Sequence, residues 1–472
     1  MRKMFLLLSL LLAGTIAGSA NDYSHYYTNL PVEVAPVTEV TFPDRHVSLT
    51  DFGAKGDGVT LCTEAFAHGI ESLSAQGGGI LEIPAGVWLT GPIELKSDIC
   101  LNLDKNAIIL FSPDKSLYVD PDPKARRVLP GITATRCKNI GITGRGIIDG
   151  RGHEWRPVKR GKVSDVEWKA YKAQGGVENS KGDLYYPWDS RYGYANVATT
   201  PEKQEKMRND LFRVFHCEGI LLEGVTFQNA PKFHVHPFNS RNVIIDGITV
   251  RAPWNAQNAD AIDLSDCHQV LVVNSTIDAG DDGFCLKSGE YKEKALVNGC
   301  ADILIRHCTA FHGHGGFVIG SEDICGMERI VCMDTRMSGT DIGLRFKSGI
   351  GRGGKTKDIY LQDIVMNDIS GDAIVFECTY ADRPAGSDDK APAKPKELVN
   401  VPEFTDIHIS EVTCNGCRKA IVASGIEGLR CVYDINISNS TFVYRDAPTA
   451  IDDKTATLEL KDVRLIPEGG SR

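Results

Sequence analysis

The feature that most constrains the fold of this chain is a short motif that recurs along most of its length. In each copy, a polar residue or glycine precedes alternating apolar positions rich in Ile and Val, a pattern typical of β-strands. The nine copies begin at Asn139, Gly219, Asn242, Gln269, Asp302, Arg329, Asp358, Asp406 and Asp434. After the first interval, successive copies begin 23, 27, 33, 27, 29, 48 and 28 residues apart. Short strands at this repeat length, without helical periodicity, predict an all-β chain folded as a single-stranded right-handed parallel β-helix.

A β-propeller is the competing repeat architecture, but its blades run nearer ~40 residues and carry recurring aromatic signatures that this sequence lacks. Two long loop insertions, at about 151–210 and 381–403, interrupt the period. Insertions of this kind emerge on one face of a solenoid and often build its binding site. Residues 60–75 have apolar positions near one helical face, so we expect a short N-terminal capping helix that covers the exposed strand edge. The β-helix domain is predicted to span 47–472, after an extension over 21–46.

The first 20 residues have the pattern of a secretory signal peptide. Arg2 and Lys3 precede an apolar run over Met4–Ala17, and the small residues Gly18–Ala20 follow. The apolar run is shorter than the ~20 residues that a membrane-spanning helix needs. We therefore expect export to a periplasm or the extracellular space, with no membrane insertion after the signal is removed.

Charge and cysteine content narrow the classes of partner. The formal net charge of −10 argues against binding nucleic acid or an anionic membrane through bulk charge. Most of the 14 cysteines lie inside or beside apolar strand patterns, so buried thiols are expected rather than a disulfide framework. Cys414 and Cys417 have no second pair or histidine cluster to complete a zinc site, and no metal is expected there.

Carboxylates far apart in the sequence are predicted to meet on adjacent coils. Asp260 precedes Asp281 by 21 residues, about one coil, and strands in neighbouring coils lie ~4.8 Å apart. Asp260, Asp281 and Asp282 would then share a small volume. Their mutual repulsion would raise the pKa of at least one of them and retain a proton near neutrality, as a general acid requires.

A histidine and two cations follow at similar intervals. His314 lies 32 residues after Asp282, and Arg345 lies 31 residues after His314. Arg345 and Lys347 are two apart in a strand and therefore point the same way. Taken singly, these features are explained by an Asx-Gly turn, a structural histidine and a solvated strand face. Their common register favours a site for a substrate that itself carries carboxylates.

These motifs resemble those of glycoside hydrolase family 28, the polygalacturonases. The similarity runs from about Val47 to about Ile466, nearly the whole mature chain. Ala259 and Phe346 depart from the family's usual Thr and Ile, but neither change removes an ionisable group. The family's Asn-Thr-Asp, Gly-Asp-Asp, Gly-His-Gly and Arg-Ile-Lys motifs appear as Asn258-Ala259-Asp260, Gly280-Asp281-Asp282, Gly313-His314-Gly315 and Arg345-Phe346-Lys347.

The resemblance implies hydrolysis of an α-1,4 bond between galacturonic acid units with inversion. Asp281 would protonate the leaving oxygen, Asp260 and Asp282 would activate water, and His314 would maintain the protonation and geometry of the acid. One β-helix rung gives about 5 Å between backbones, whereas inverting enzymes separate their carboxyl groups by roughly 6.5 to 9.5 Å. Spacing alone therefore favours retention, and the expectation of inversion follows from the family.

The resemblance also implies substrate-binding residues. Arg345 and Lys347 would bind galacturonate carboxylates beside the scissile bond, with Asn258 and Tyr380 near the same sugar. His236 is a candidate for lining the site, and equally a hydrogen-bonded histidine in a turn. The expected partner is an acidic polysaccharide bound by a monomer, and no cofactor or metal is expected.

Exo action is predicted from the first insertion, because loops that close one end of the cleft select a chain terminus. Between Arg151 and Lys172 the chain holds seven basic and three acidic residues. Cations together with aromatic side chains can bind an acidic sugar terminus. The aromatic residues of this insertion include Trp155, Trp168, Tyr171, Tyr185 and Tyr186.

Other functions remain open from the sequence. Within the same family, the chain could be an endo-polygalacturonase or a hydrolase of rhamnogalacturonan or xylogalacturonan. A Ca²⁺-dependent pectate lyase would use the acidic cluster to coordinate metal. A non-catalytic carbohydrate-binding β-helix would need no reactive carboxylate at all.

Overall fold

The computed structural model describes residues 22–120, 128–187, 205–289, 299–380 and 398–469. The predicted signal peptide over 1–20, and most of the predicted insertion over 381–403, lie outside the described residues. In the described part of the chain, no helix has both the length and the apolar character needed to cross a bilayer.

The chain forms the predicted right-handed parallel β-helix, whose strands make up three parallel stacks. The first stack comprises His46–Ser48, Gly79–Ile83, Ile99–Leu103, Lys138–Gly144, Glu218–Glu223, Arg241–Asp246, His268–Val273, Cys300–Arg306, Met327–Ser338, Ile359–Asn367, Ile407–Ser424, Val432–Ile451 and Ala456–Pro467. The second comprises Gly86–Thr90, Ala107–Phe111, Ile147–Asp149, Thr226–Gln228, Thr249–Arg251, Thr276–Asp278 and Thr309–Phe311. The third comprises Ile93–Glu94, Ile132–Thr135, Phe212–Phe215, Val235–Phe238, Ile262–Ser265, Asp282–Ser288, Gly315–Asp323, Leu344–Lys347 and Ile374–Glu377. Lys355–Thr356 and Glu403–Phe404 form a shorter parallel pair beside these stacks.

The recurring sequence motif marks one sharp corner of the coil. All nine residues that begin a copy of the motif have positive φ, from 47° at Asn139 to 78° at Gly219. Asn, Asp and Gly tolerate this left-handed conformation better than other residues, which explains why they begin most copies. The alternating apolar residues that follow enter the first stack, and every second side chain points into the interior.

The interior is filled by ladders of Ile, Val, Leu and Phe from all three stacks. Helix α1, Thr63–Ala75, packs on the N-terminal end of this core and buries Phe66, Ile70 and Leu73. The helix begins later than the predicted Thr60, because the Asp57 carboxylate accepts hydrogen bonds from the backbone N–H and the hydroxyl of Thr60 and holds that residue in a turn. All 14 cysteines are free thiols, and most are buried, as the strand patterns predicted.

The N-terminal extension runs along the outside of the first stack. Thr38 exchanges two hydrogen bonds with the side chain of Asn242, and the backbone N–H of Ala35 donates to Asp302 Oδ1 at 3.1 Å. Both side chains belong to residues that begin a copy of the motif, so the corner also anchors the extension. The extension covers apolar side chains on the outer face of the stack, which are Leu221, Ile244, Leu271, Val273, Leu304, Val331 and Met333.

The first insertion folds into a small unit of its own. Val158–Lys159, Leu184–Tyr186 and Val177–Glu178 form an antiparallel sheet, and helix α2, Asp165–Lys172, follows a capping box at Ser164. The aromatic residues predicted to bind a sugar terminus are mostly buried instead, with Trp155 in the main β-helix core. The exposed fractions of Trp155, Trp168, Tyr185 and Tyr186 are 2%, 8%, 1% and 3%. A short unit needs these large side chains to bury enough apolar surface.

Candidate active site

The candidate site lies on the outer face of the third stack and in the loops that lead into it. Asp260 and Asp281 end such loops, and Asp282 begins the strand Asp282–Ser288. The backbone N–H of Ala261 donates to the carbonyl oxygen of Asp282 at 2.9 Å, so the two loops lie on adjacent coils. The coil period therefore brings together the residues that the sequence intervals predicted.

The three carboxylates form a compact buried cluster. One oxygen from each of Asp260, Asp281 and Asp282 lies within 4.8 Å of the others. Their exposed fractions are 3%, 8% and 1%. The backbone N–H of Asn258, a residue in the left-handed conformation, donates to Asp281 Oδ2 at 3.2 Å, and Arg208 holds the Asn258 side chain at 2.9 Å. Asn258 thus positions an acid through its backbone.

The pKa values of the three carboxylates diverge. Burial and the charges of neighbouring carboxylates raise the pKa of Asp260 well above its ordinary value. Burial also acts to raise the pKa of Asp282, but the cations of Lys347 and Arg345 outweigh it and lower that pKa. For Asp281, the opposing effect is a hydrogen bond with His314, and its pKa is also lowered. The surroundings therefore favour a proton on Asp260 over one on Asp281 or Asp282.

His314 contacts the cluster from the next coil. Its Nδ1 lies 3.3 Å from Asp281 Oδ1, and its Nε2 lies 3.9 Å from Asp341 Oδ2. The interaction with Asp281 raises the pKa of His314. The preceding Gly313 has a φ of 86°, and a Cβ there would lie 2.4 Å from the carbonyl oxygen of Asp281. Glycine is therefore needed for the loop to bring His314 this close.

Two cations of the strand Leu344–Lys347 approach Asp282. Lys347 Nζ lies 2.6 Å from Asp282 Oδ2, and Arg345 Nη1 lies 3.7 Å from Asp282 Oδ1. Asp282 is in register with Gly315, where a Cβ would lie only 2.5 Å from Val318 Cγ2, and Val318 is itself in register with Arg345. The Tyr380 ring lies 5.4 Å from the Arg345 guanidinium and 5.1 Å from the Lys347 ammonium. Arg345, Lys347 and Tyr380 thus form one wall of the site.

His236 lies beneath the site and has no exposed surface. Its Nδ1 lies 2.8 Å from Asp210 Oδ2, and its Nε2 lies 2.9 Å from Ser265 Oγ. Its ring also packs against Phe233. Of the two interpretations that the sequence left open, this placement matches the hydrogen-bonded structural histidine.

A buried ion pair under the cluster was not singled out from the sequence. Lys287 Nζ lies 3.6 Å from Asp263 Oδ1 and 3.2 Å from the carbonyl oxygen of Gly320. Burial raises the pKa of Asp263 to about 6, against the opposing charge of Lys287. The sequence contains an indication of this ion pair, because a charged residue follows apolar residues within each of the strands AIDLS and GFCLKS. Such a residue also fits an exposed strand face, so only the packing reveals the pair.

The comparisons with known proteins place these residues in a family. The model "Glycosyl hydrolases family 28" matches residues 159–439, which is more than half of the chain. This chain belongs to glycosyl hydrolases family 28. The match includes the four motifs around Asp260, Asp281, His314 and Arg345, and the predicted resemblance to the family is confirmed.

Several family 28 proteins are similar over most of the chain. A probable polygalacturonase of Vitis vinifera is 32% identical over 352 residues, covering 71% of this chain and 63% of that protein. An exo-poly-alpha-D-galacturonosidase of Dickeya chrysanthemi is 26% identical over 446 residues, covering 88% of this chain and 70% of that protein. Proteins named endo-polygalacturonase also match. The solved structure of an exopolygalacturonase from Thermotoga maritima has a TM-score of 0.72 and 28% identity, covering 91% of this chain and 94% of that chain.

The acidic cluster of this family 28 member is also a conceivable set of metal ligands, since carboxylate oxygens suit hard divalent cations. The charge balance favours acid–base chemistry instead. Both oxygens of Asp282 already face the cations Lys347 and Arg345. The raised pKa of Asp260 means that a metal would compete with a proton at this carboxylate.

Proposed function

We propose that this chain is a polygalacturonase that hydrolyses α-1,4-galacturonosyl bonds of polygalacturonate. The observation that supports this most directly is the buried cluster of Asp260, Asp281 and Asp282 with Arg345 and Lys347 beside it. The carboxylates supply proton transfer to and from the reacting oxygens. The two cations provide binding partners for the carboxylates of a uronic sugar.

Asp281 donates the proton to the leaving oxygen, and Asp260 and Asp282 activate the water. A substrate carboxylate at Arg345 and Lys347 adds negative charge and draws these cations away from Asp282, which raises the pKa values of the cluster. Asp281 then takes up a proton from Asp260, within 4.8 Å, or from His314, at 3.3 Å. When Asp260 is the donor, the transfer leaves both Asp260 and Asp282 ionised, and one of them accepts the proton of water; when His314 is the donor, Asp282 is the carboxylate that accepts it.

We propose inversion at the anomeric carbon. The separation of the carboxylate oxygens, within 4.8 Å, is below the roughly 6.5 to 9.5 Å typical of inverting enzymes. Two carboxylates that share one water, with side chains splayed outward from the stack, reconcile this spacing with inversion. NMR of the first product should show the β anomer, and a retained α anomer would contradict the assignment.

Exo action is the favoured mode, because the first insertion is attached to a loop that leads into the third stack, whose outer face carries the site. The Arg156 side chain of this insertion donates to the carbonyl oxygen of Ala230 at 2.7 Å. The backbone N–H of Gly152 donates to the carbonyl oxygen of Asn229 at 2.6 Å. Both acceptors precede the strand Val235–Phe238 of the third stack. The pattern of the first 20 residues supports export before the enzyme meets its substrate.

Product analysis over time tests this function. The purified protein should release galacturonic acid, or one short saturated product, from polygalacturonate, with a slow fall in viscosity and no effect of a chelator. A rapid viscosity fall with mixed oligomers would show endo action. Unsaturated products that depend on Ca²⁺ would show a lyase, and preference for rhamnogalacturonan would assign a different substrate within the family.

We expect His314→Gln to change the pH profile of the reaction. Asp281 raises the pKa of His314, so the wild-type pair keeps a proton to higher pH and loses it as the pH rises through that pKa. Gln at this position can hydrogen-bond but cannot carry the proton. The kcat at neutral pH should fall about 100-fold, and the alkaline limb of kcat/KM should move to lower pH.

His312→Gln is the matched control for this change. His312 lies two residues earlier in the same loop, is exposed, and pairs with Asp278 Oδ1 at 2.9 Å, away from the cluster. This variant should keep the wild-type pH profile. An unchanged alkaline limb in His314→Gln would remove His314 from the proton path.

A further inference from the structure

The basic residues of the first insertion differ in what they contact. Four of the seven are occupied: Arg151 lies near Glu154, Arg156 donates to Ala230, Arg160 pairs with Asp165, and Lys172 pairs with Glu178. In the part of the chain that the structure describes, the other three have no ion-pair partner. These three are Lys159, Lys162 and Lys169.

Lys162 stands apart from the other two because its ammonium group is buried. Lys159 and Lys169 are exposed, whereas Lys162 Nζ has almost no contact with solvent and no hydrogen-bond partner among the described residues. Burying an ammonium without a hydrogen-bond acceptor is unfavourable. Consistent with this, burial lowers the pKa of Lys162. The cost of burying this ammonium is offset when a bound ligand supplies the missing acceptor, or when other contacts in the protein stabilise the folded state.

The surroundings of Lys162 belong to the catalytic cluster. Its charge interacts with the carboxylates of Asp281 and Asp341, and the same charge acts to lower the pKa of His314. Arg345 and Lys347 instead approach Asp282. The acids therefore interact with cations from two parts of the chain, which are the Arg345–Lys347 pair of the third stack and Lys162 of the insertion.

We propose that Lys162 binds a second uronic acid carboxylate of the substrate, on the Asp281 side of the cluster, and is a specificity-determining residue. The inference rests on the proposed hydrolysis of polygalacturonate. A substrate carboxylate provides the acceptor that Lys162 lacks in the free protein. The insertion thus contributes charge recognition through one lysine, while its aromatic residues serve its own folding.

Kinetics of Lys162→Met on polygalacturonate oligomers test this proposal, with Lys169→Met as the matched control in the same insertion. Loss of a charge-assisted hydrogen bond to the bound substrate should raise KM at least tenfold. The kcat should change less than KM, because the contact is present before and during the reaction. Lys162→Arg should restore much of the affinity, and Lys169→Met should match the wild type.

Thermal unfolding separates a binding role from a structural one. Lys162→Met removes a buried ammonium without a partner, so its unfolding midpoint should equal or exceed that of the wild type while its KM rises. A lower midpoint with an unchanged KM would show that Lys162 is structural and overturn the proposal. A KM within twofold of the Lys169→Met value would also overturn it. If the wild-type protein itself released no product from these oligomers, the proposed function would fail instead.

Discussion

Asp281→Asn should reduce kcat on polygalacturonate on the order of 10³-fold, because an amide cannot donate the proton that the leaving oxygen requires. The substitution preserves the size of the side chain. The backbone N–H groups of Asn258 and Asp282 donate to different oxygens of Asp281, so Asn Oδ1 can still accept one of these two hydrogen bonds. Substrate binding should persist, so the loss should appear in kcat more than in KM.

Asp278→Asn provides the comparison for this result. Asp278 lies three residues earlier at the end of a second-stack strand, is exposed, and pairs with His312. It should retain nearly full activity. If a folded Asp281→Asn protein kept more than a tenth of the wild-type kcat, Asp281 would not be the general acid. A non-catalytic binding protein would likewise be insensitive to this change.

Phe346→Ala should lower the free energy of unfolding by about 3–5 kcal/mol, the cost of removing a buried aromatic side chain from a packed core. Phe346 has no exposed surface and stacks on Phe376 with ring centroids 4.4 Å apart. The Phe404 ring meets it edge-on at 5.8 Å. The family's usual Ile is therefore replaced here by a ring that joins an aromatic cluster spanning several coils.

Urea unfolding of Phe346→Ala and Phe311→Ala measures this difference. Phe311 is 39% exposed at the end of a second-stack strand, and its truncation should cost much less. Because Phe346 lies between Arg345 and Lys347, its loss should also raise KM by loosening both cations. Equal unfolding midpoints for the two variants would contradict the assigned packing of Phe346.

The parts of the site that follow the coil period could be predicted from the sequence. Asp260 and Asp281 lie in corresponding loops because one coil separates them, and His314 follows on the next. Lys162 and the pair Asp263–Lys287 could not be placed in this way. The insertion has no period to convert sequence distance into position, and a charged residue in a strand looks the same whether it faces water or a buried partner.

The β-helix and the residues of its acidic site follow from the amino-acid sequence. A repeated alternation of apolar residues buries its apolar surface when the chain winds into a β-helix, and this winding stacks residues that are one coil apart. Packing between distant parts of the chain sets how the pKa values of the three acids differ and which aromatic residues of the insertion are buried. Packing also buries Lys162 Nζ without a hydrogen-bond partner among the described residues, whereas Lys159 and Lys169 are exposed. These outcomes depend on burial and on distances of a few ångströms between side chains, which set electrostatic energies and are not encoded in any local pattern.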